Sequence, residues 1–128
     1  MATSFSTTLR NARADAIATA MGNGAKLRLY TAAYAVEISE NVCGTPFAAA
    51  ASGGVLTMGA VADGTAVASG NAAIARLYKS DGTTVVIEGL VVTDSAGVGP
   101  IKLGQTGTAI SSGQTVVVDS GVITEGNA

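Results

Sequence analysis

Asn71-Ala-Ala-Ile-Ala-Arg-Leu-Tyr-Lys-Ser-Asp-Gly-Thr-Thr-Val-Val-Ile-Glu-Gly89 decides the fold. Two runs rich in Ile, Leu, Tyr, Val and Thr flank the polar turn Ser80-Asp81-Gly82, the pattern of a β-hairpin. A three-residue loop, a type I turn closed by a left-handed residue, suits Gly82, which has no Cβ to clash there. Such a loop pairs Lys79 with Thr83. Ala73, Ala75 and Leu77 then share a face with Val85 and Ile87, while Arg76 and Tyr78 lie beside Thr84 and Glu88 on the other. One apolar and one mixed face mark an antiparallel pair with one side on a core.

Working outward, Lys26 to Thr31 alternates, with Leu27 and Leu29 on one face and Lys26, Arg28 and Tyr30 on the other. Ala32 to Cys43 reads as a second, weaker strand or an excursion. Phe47–Ala51 reads as a short strand before a turn at Ser52-Gly53-Gly54, and Val55–Val61 as another strand. Asp63-Gly64 makes a turn, Thr65–Ser69 a short strand, and Gly70-Asn71 a break. Beyond Gly89, Leu90–Thr93 reads as a separate strand. Asp94 to Pro100 is a loop by its turn chemistry. Ile101–Leu103 is short, residues 104–113 are polar, and Thr115–Asp119 with Val122–Thr124 makes a last strand bent near Gly121. Glu125-Gly126-Asn127-Ala128 is a tail.

Residues 6–21 predict a helix, with Ser6 as N-cap and an Ala-rich interior. Phe5, Leu9, Ala12, Ala16 and Ala20 form an apolar stripe, with Ile17 and Met21 beside it and Arg10, Asn11, Arg13 and Asp15 largely off it. Gly22-Asn23-Gly24 stops the helix. The expected fold is mainly β: an antiparallel β-sandwich or jelly roll preceded by one α-helix. The expected division is 1–24 for the helix and its cap and 25–128 for the β domain.

Composition agrees. The 128 residues suit one domain. Apolar residues make up 48 % but are mostly Ala and Val, with 4 % aromatic, so the core must be thin and finely packed. The net charge of −2 argues against nucleic acid as a partner. Its distribution is uneven: residues 1–28 hold four bases, Arg10, Arg13, Lys26 and Arg28, against Asp15 alone. A basic helix region docked on an acidic body, in the same chain or a neighbour, is the simplest reading. No apolar run reaches the ~18 residues of a membrane span.

The chain carries no His, which closes the Ser-His-Asp and Cys-His arrangements and the His-containing metal sites. Cys43 is the single cysteine and reads as a small buried hydrophobe. The carboxylates lack the spacing of a calcium loop, and Asp63 and Asp81 precede Gly as turn formers. Gly22-Asn23-Gly24 precedes a strand rather than a helix, so it offers phosphate no helix N-terminus. No enzyme, cofactor, metal or small-molecule ligand is expected.

Three stretches resemble a family of small virion proteins of tailed bacteriophages. They are Ser6-Thr-Thr-Leu-Arg-Asn-Ala-Arg-Ala-Asp-Ala-Ile17 with Gly24-Ala-Lys-Leu-Arg-Leu-Tyr30; Ala75-Arg-Leu-Tyr78 leading through Ser80-Asp-Gly-Thr-Thr-Val-Val86 to Glu88-Gly89; and Val122-Ile-Thr-Glu-Gly-Asn-Ala128. Family members often carry an aromatic in the strand before the Arg, where this chain has Ala73 and Ile74. The resemblance implies a structural role in the virion, assembled in the host cytoplasm, without catalytic residues. The leading expectation is a capsid decoration, or cement, protein that binds the major capsid protein and copies of itself. Its contact candidates are Leu9, Arg10, Arg13, Ile17, Lys26 and Arg28. The alternatives are a tail component (tube, collar or fibre-associated) and a carbohydrate- or receptor-binding module using Tyr30 and Tyr78.

Overall fold

The computed structural model describes residues 5–44 and 47–124; the tail, 125–128, lies outside them. The chain is mainly β with one N-terminal helix, α1 (Thr7–Met21). The strands are β1 (Lys26–Tyr30), β2 (Glu37–Val42), β3 (Val55–Thr57), β4 (Gly64–Thr65), β5 (Gly70–Asn71), β6 (Ile74–Tyr78), β7 (Val85–Thr93), β8 (Ile101–Leu103), β9 (Ala109–Ile110), β10 (Thr115–Val116) and β11 (Val118–Thr124). A short 3₁₀ turn, Ala32–Tyr34, joins β1 to β2. Seven strands form one sheet in the order β2-β1-β6-β7-β8-β11-β3, and β10-β4 and β5-β9 form two small ribbons.

The alternation of β1 holds: Leu27 and Leu29 are fully buried. They join Ile38, Leu56, Ala75, Leu77, Ile101, Leu103 and Val116 in one apolar cluster inside the curl of the sheet. Because these side chains are mostly of moderate size, the enclosed layers sit close together, in a sandwich-like arrangement.

The central hairpin forms, but with a longer loop and a different register. Lys79 pairs with Thr84, not Thr83, its N–H donating to the Thr84 carbonyl at 3.0 Å. The cause is Asp81. Its carboxylate accepts from the N–H groups of Thr83 and Thr84 at 2.8 and 2.9 Å and from the Thr84 hydroxyl at 2.6 Å, which draws both threonines into the turn. These bonds, the Thr84 hydroxyl's foremost, hold the Asp81 carboxyl well below the usual carboxylate range. Gly82 has the expected positive φ of 72°. Leu77 therefore meets Ile87 and Ala75 meets Leu90, with bulges between. Val85, expected on the core face, is exposed. Strand β7 does not break at Gly89, which continues it as a bulge with φ 78°.

The sheet is mixed, not purely antiparallel. β7 and β8 run parallel, with Val92 beside Ile101 and Thr93 beside Lys102. Parallel neighbours ordinarily need a long crossover. Here residues 94–100 suffice, because the turn folds back onto Thr93: the Gly99 N–H donates to Thr93 Oγ1 at 3.3 Å and the Gly97 N–H to the Asp94 carbonyl at 3.0 Å. A Cβ on Gly97 would strike the Thr93 side chain.

The two outer edges are covered. Beyond β3, Ser52 bridges Val55 and Ala48 bridges Met58, so the expected strand at 47–51 is only isolated bridges. Beyond β2, the segment 61–67 donates from Ala62 N–H to the Val42 carbonyl and from Val67 N–H to the Ile38 carbonyl. Its strand β4 also pairs with β10, which runs into β11. The curl is thereby bridged from its first strand to its last.

Asn41 clasps that closure. It is fully buried, its Nδ2 donates to the carbonyls of Ala62 and Val116 at 3.0 Å each, and its Oδ1 accepts from Ser39 Oγ at 3.1 Å. Gly64 lies so close that a Cβ there would stand 2.5 Å from the Glu40 carbonyl oxygen and 2.8 Å from Asn41 Oδ1.

Helix α1 begins where expected, with the Leu9 N–H donating to Ser6 Oγ at 3.2 Å. It docks on a different face from the expected stripe. Ala14 and Met21 are buried, whereas Leu9, Ala12, Ala16 and Ala20 are exposed. The turn at 51–54 presents backbone N–H groups that require acceptors. Asp15 Oδ1 accepts from Ala51 N–H and Asn11 Oδ1 from Gly54 N–H, each at 2.7 Å. Those polar side chains set the rotation of the helix. Leaving an alanine stripe outward costs little, since each Ala holds little apolar area.

Replacing Asn41 by Ala should lower unfolding free energy by about 2–4 kcal/mol, because buried carbonyls lose their donor and a small void opens. Urea denaturation measures it; Ala12→Glu on the outward stripe should stay within about 0.5 kcal/mol of the parent.

Candidate functional site

The polar residues of the sheet gather on its outer face, across β2, β1, β6 and β7. The register determines which ones meet. Arg28 lies opposite Glu40 of β2 on one side and opposite Arg76 of β6 on the other. Arg76 in turn meets Glu88 of β7. A row Glu40–Arg28–Arg76–Glu88 thus crosses four adjacent strands. Like charges directly opposed on a sheet are unfavourable, and the flanking acids offset this. Arg28 Nε is 2.6 Å from Glu40 Oε2 and 3.6 Å from Glu37 Oε1. Lys26 Nζ is 3.5 Å from Glu40 Oε1, and Arg76 Nε is 3.2 Å from Glu88 Oε2.

All three tyrosines of the chain join this row. The hydroxyls of Tyr30 and Tyr78 share a hydrogen bond of 2.7 Å, and the two residues are only 7 % and 6 % exposed. The Arg28 guanidinium stacks 4.4 Å from the Tyr78 ring centroid, and that of Arg76 lies 3.7 Å from the Tyr34 centroid and 5.5 Å from that of Tyr30. Tyr34 packs edge-on against Tyr30, and its hydroxyl accepts from the Gly89 N–H at 2.7 Å. Sequence alternation places Tyr30, Arg76 and Tyr78 here. It misses Tyr34, Glu37 and Glu40: Glu40 faces Arg28 through the β1–β2 register, and Glu37 comes opposite Tyr30 through a bulge between Leu29 and Tyr30, neither of which leaves a signal in composition.

The environment polarises this group. Partial burial alone would raise the Glu40 carboxyl, but the hydrogen bond and charge of Arg28, followed by Lys26, outweigh it and hold Glu40 below its ordinary value. Desolvation, followed by the bond to Tyr78, pushes the Tyr30 phenol up to about 12. Burial acts on Tyr78 too, yet its bonds to Tyr30 and Arg76 bring that phenol below its usual value. The arrangement is one of mutual satisfaction: every charge on it has a partner in the same face.

The other contact candidates fall elsewhere. The Arg10 Nη2 reaches the Gly53 carbonyl at 3.5 Å, and Arg13 stacks 4.8 Å from the Phe5 ring centroid. Leu9 points outward, 44 % exposed, while Ile17 is half-buried against the core. The structure brings Lys26 and Arg28 together on the sheet and leaves the helix residues apart from them. Cys43 is buried, as expected, and desolvation pushes its thiol up to about 12. Among the described residues no cluster of three or more His, Cys, Asp or Glu could hold a metal ion, and no helix is long and apolar enough to cross a membrane. Compared with protein-family models, curated proteins and solved structures, the chain matches none.

A double-mutant cycle on Arg28 and Glu40 should give a coupling of about 1 kcal/mol at neutral pH, the upper end for partly exposed pairs. Because the folded-state Glu40 value is depressed, this stabilisation is present above its ordinary value of 4.5 and lost as pH falls through the lower folded value. In native protein near pH 8, Cys43 should resist a thiol-specific disulfide reagent, with roughly one thiol in ten thousand ionised, and should react at once in denaturant.

Proposed function

We propose that this chain is a non-catalytic structural protein of a tailed-phage virion, and specifically a decoration protein that braces the head shell. The observation that carries the reading is the covering of both sheet edges, by segments 47–52 and 61–67. A tail tube grows by pairing outer strand edges between subunits, and covering both outer edges opposes such polymerisation. A decoration protein meets its shell through side-chain surfaces instead. The sequence likeness to small virion proteins supports the same class.

Two surfaces suit that contact. The outward side of α1 offers Leu9 with Ala12, Ala16 and Ala20, small enough for close approach, with Arg13 beside them for an acidic shell surface. The charged sheet face is engaged with itself and contributes stiffness. For a carbohydrate module the aromatic platform would have to be open, whereas Tyr30 and Tyr78 lie beneath the two arginines.

Immunogold labelling of purified virions of the encoding phage should mark the head at many dispersed sites; label confined to the tail would replace this reading with a tail component. Leu9→Asp with Ala16→Glu should abolish shell binding while leaving the melting temperature within about 2 °C. Removing residues 1–21 should instead destabilise the whole fold, since it strips Ala14 and Met21 from the core.

A further inference from the structure

Strand β8 fills only part of the place between β7 and β11. It pairs with Val92 and Thr93 on one side and with Val118, Ser120 and Gly121 on the other. The Val122 N–H then donates to the Pro100 carbonyl at 2.8 Å. Proline has no N–H to return, so the ladder stops there. The turn 94–100 carries the chain away, and Val98 on it is fully exposed. Both neighbouring strands nevertheless run on. β7 extends back to Val85, paired with β6 on its far edge, and β11 extends to Thr124, paired with β3 on its far edge. Among the described residues no strand pairs with the near edges of these two extensions.

An open groove of about 600 Å³ occupies the gap, lined by Ile87 and Leu90 of β7, the turn Val98-Gly99-Pro100, and Val122, Ile123 and Thr124 of β11. No lining side chain is charged. Val91, next along β7, is 53 % exposed despite its apolar side chain.

We propose that this groove is a strand-insertion site that receives an extended segment of another protein chain. Its walls are the edges of two strands that no other strand pairs with at this point, and an extended peptide can add to both at once. β7 and β11 are second neighbours in the sheet, roughly 9.5 Å apart at two strand spacings, which leaves the width of one backbone. The uncharged lining selects apolar side chains at alternate positions of the inserted segment. The donor is a different protein and not a second copy. Every strand of the described residues already lies in a sheet, so a second copy would have to break its own pairing to donate one. The inference is independent of where in a virion, or elsewhere, the chain acts.

The test uses the full chain and the synthetic peptide acetyl-Lys-Thr-Val-Thr-Val-Thr-Val-Lys-amide, read by residue-resolved amide hydrogen exchange. Saturable binding should slow exchange by about tenfold or more at Thr124 and at β7 amides between Val85 and Val91, leaving β2 and β3 unchanged. The same peptide with Pro in place of the central Val should give no protection. Val98→Asp, a surface change in the groove lining, should weaken binding by about tenfold at unchanged melting temperature. The proposal is overturned by no protection at millimolar peptide, by equal protection from the proline peptide, or by protection mapped to another edge. It is equally overturned if those amides are already protected in free protein in a concentration-dependent way, which would seat a second copy in the groove.

Discussion

The side-chain amide of Asn41 holds the curl of this sheet closed. It is fully buried with donor and acceptor engaged, reaching the carbonyls of Ala62 and Val116 and the hydroxyl of Ser39. In such surroundings a hydrogen bond is strong and an unpaired polar atom costly, so the amide specifies one arrangement of the three segments it touches. Other features of the fold follow from that clasp. Segment 61–67 must lie along β2, which requires Gly64 against the Glu40 carbonyl. β4 can then pair with β10, and the edge of β2 that would otherwise invite another chain is covered.

On the opposite side of the same strands, electrostatics imposes a second constraint. The β1–β6 register that seats Leu27 against Leu77 and Leu29 against Ala75 in the core unavoidably sets Arg28 against Arg76 outside. The inner pairing is favourable and the outer one is not. The sheet accommodates it with acids on both flanking strands and with tyrosine rings beneath the guanidinium groups. The result is an internally paired polar layer on one side of the sheet and an apolar layer on the other. The outward side of α1 and the gap beside β8 are the two surfaces proposed above for contact with other chains.

Much of this was legible in the residue order. The Ser6 cap, the alternation of Lys26–Tyr30, the left-handed Gly82 and the inert burial of Cys43 are local consequences of side-chain type, and each stands in the structure where local rules place it. The partner-contact candidates were legible only as residues. That Lys26 and Arg28 meet Glu40 depends on the register of β2 against β1, and that Glu37 joins them depends on a bulge after Leu29; both are set by the fit of a whole strand to its neighbours. The same holds for Tyr34, which composition presents as one more aromatic and the fold places under Arg76.

By itself, then, the sequence determined a mainly β domain behind one helix, which faces of β1 and β6 are apolar, and where the chain turns, because those properties follow from periodicity and turn chemistry over a few residues. Tertiary structure alone decided the hairpin register, the parallel β7–β8 pair, the rotation of α1 and the burial of Asn41. Each depends on backbone groups distant in sequence finding partners: Asp81 drawing in Thr84, Thr93 receiving Gly99, Asn11 and Asp15 receiving Gly54 and Ala51, Asn41 reaching Val116. Buried donors and acceptors must be paired wherever the fold places them, and no local pattern records which distant groups will do the pairing.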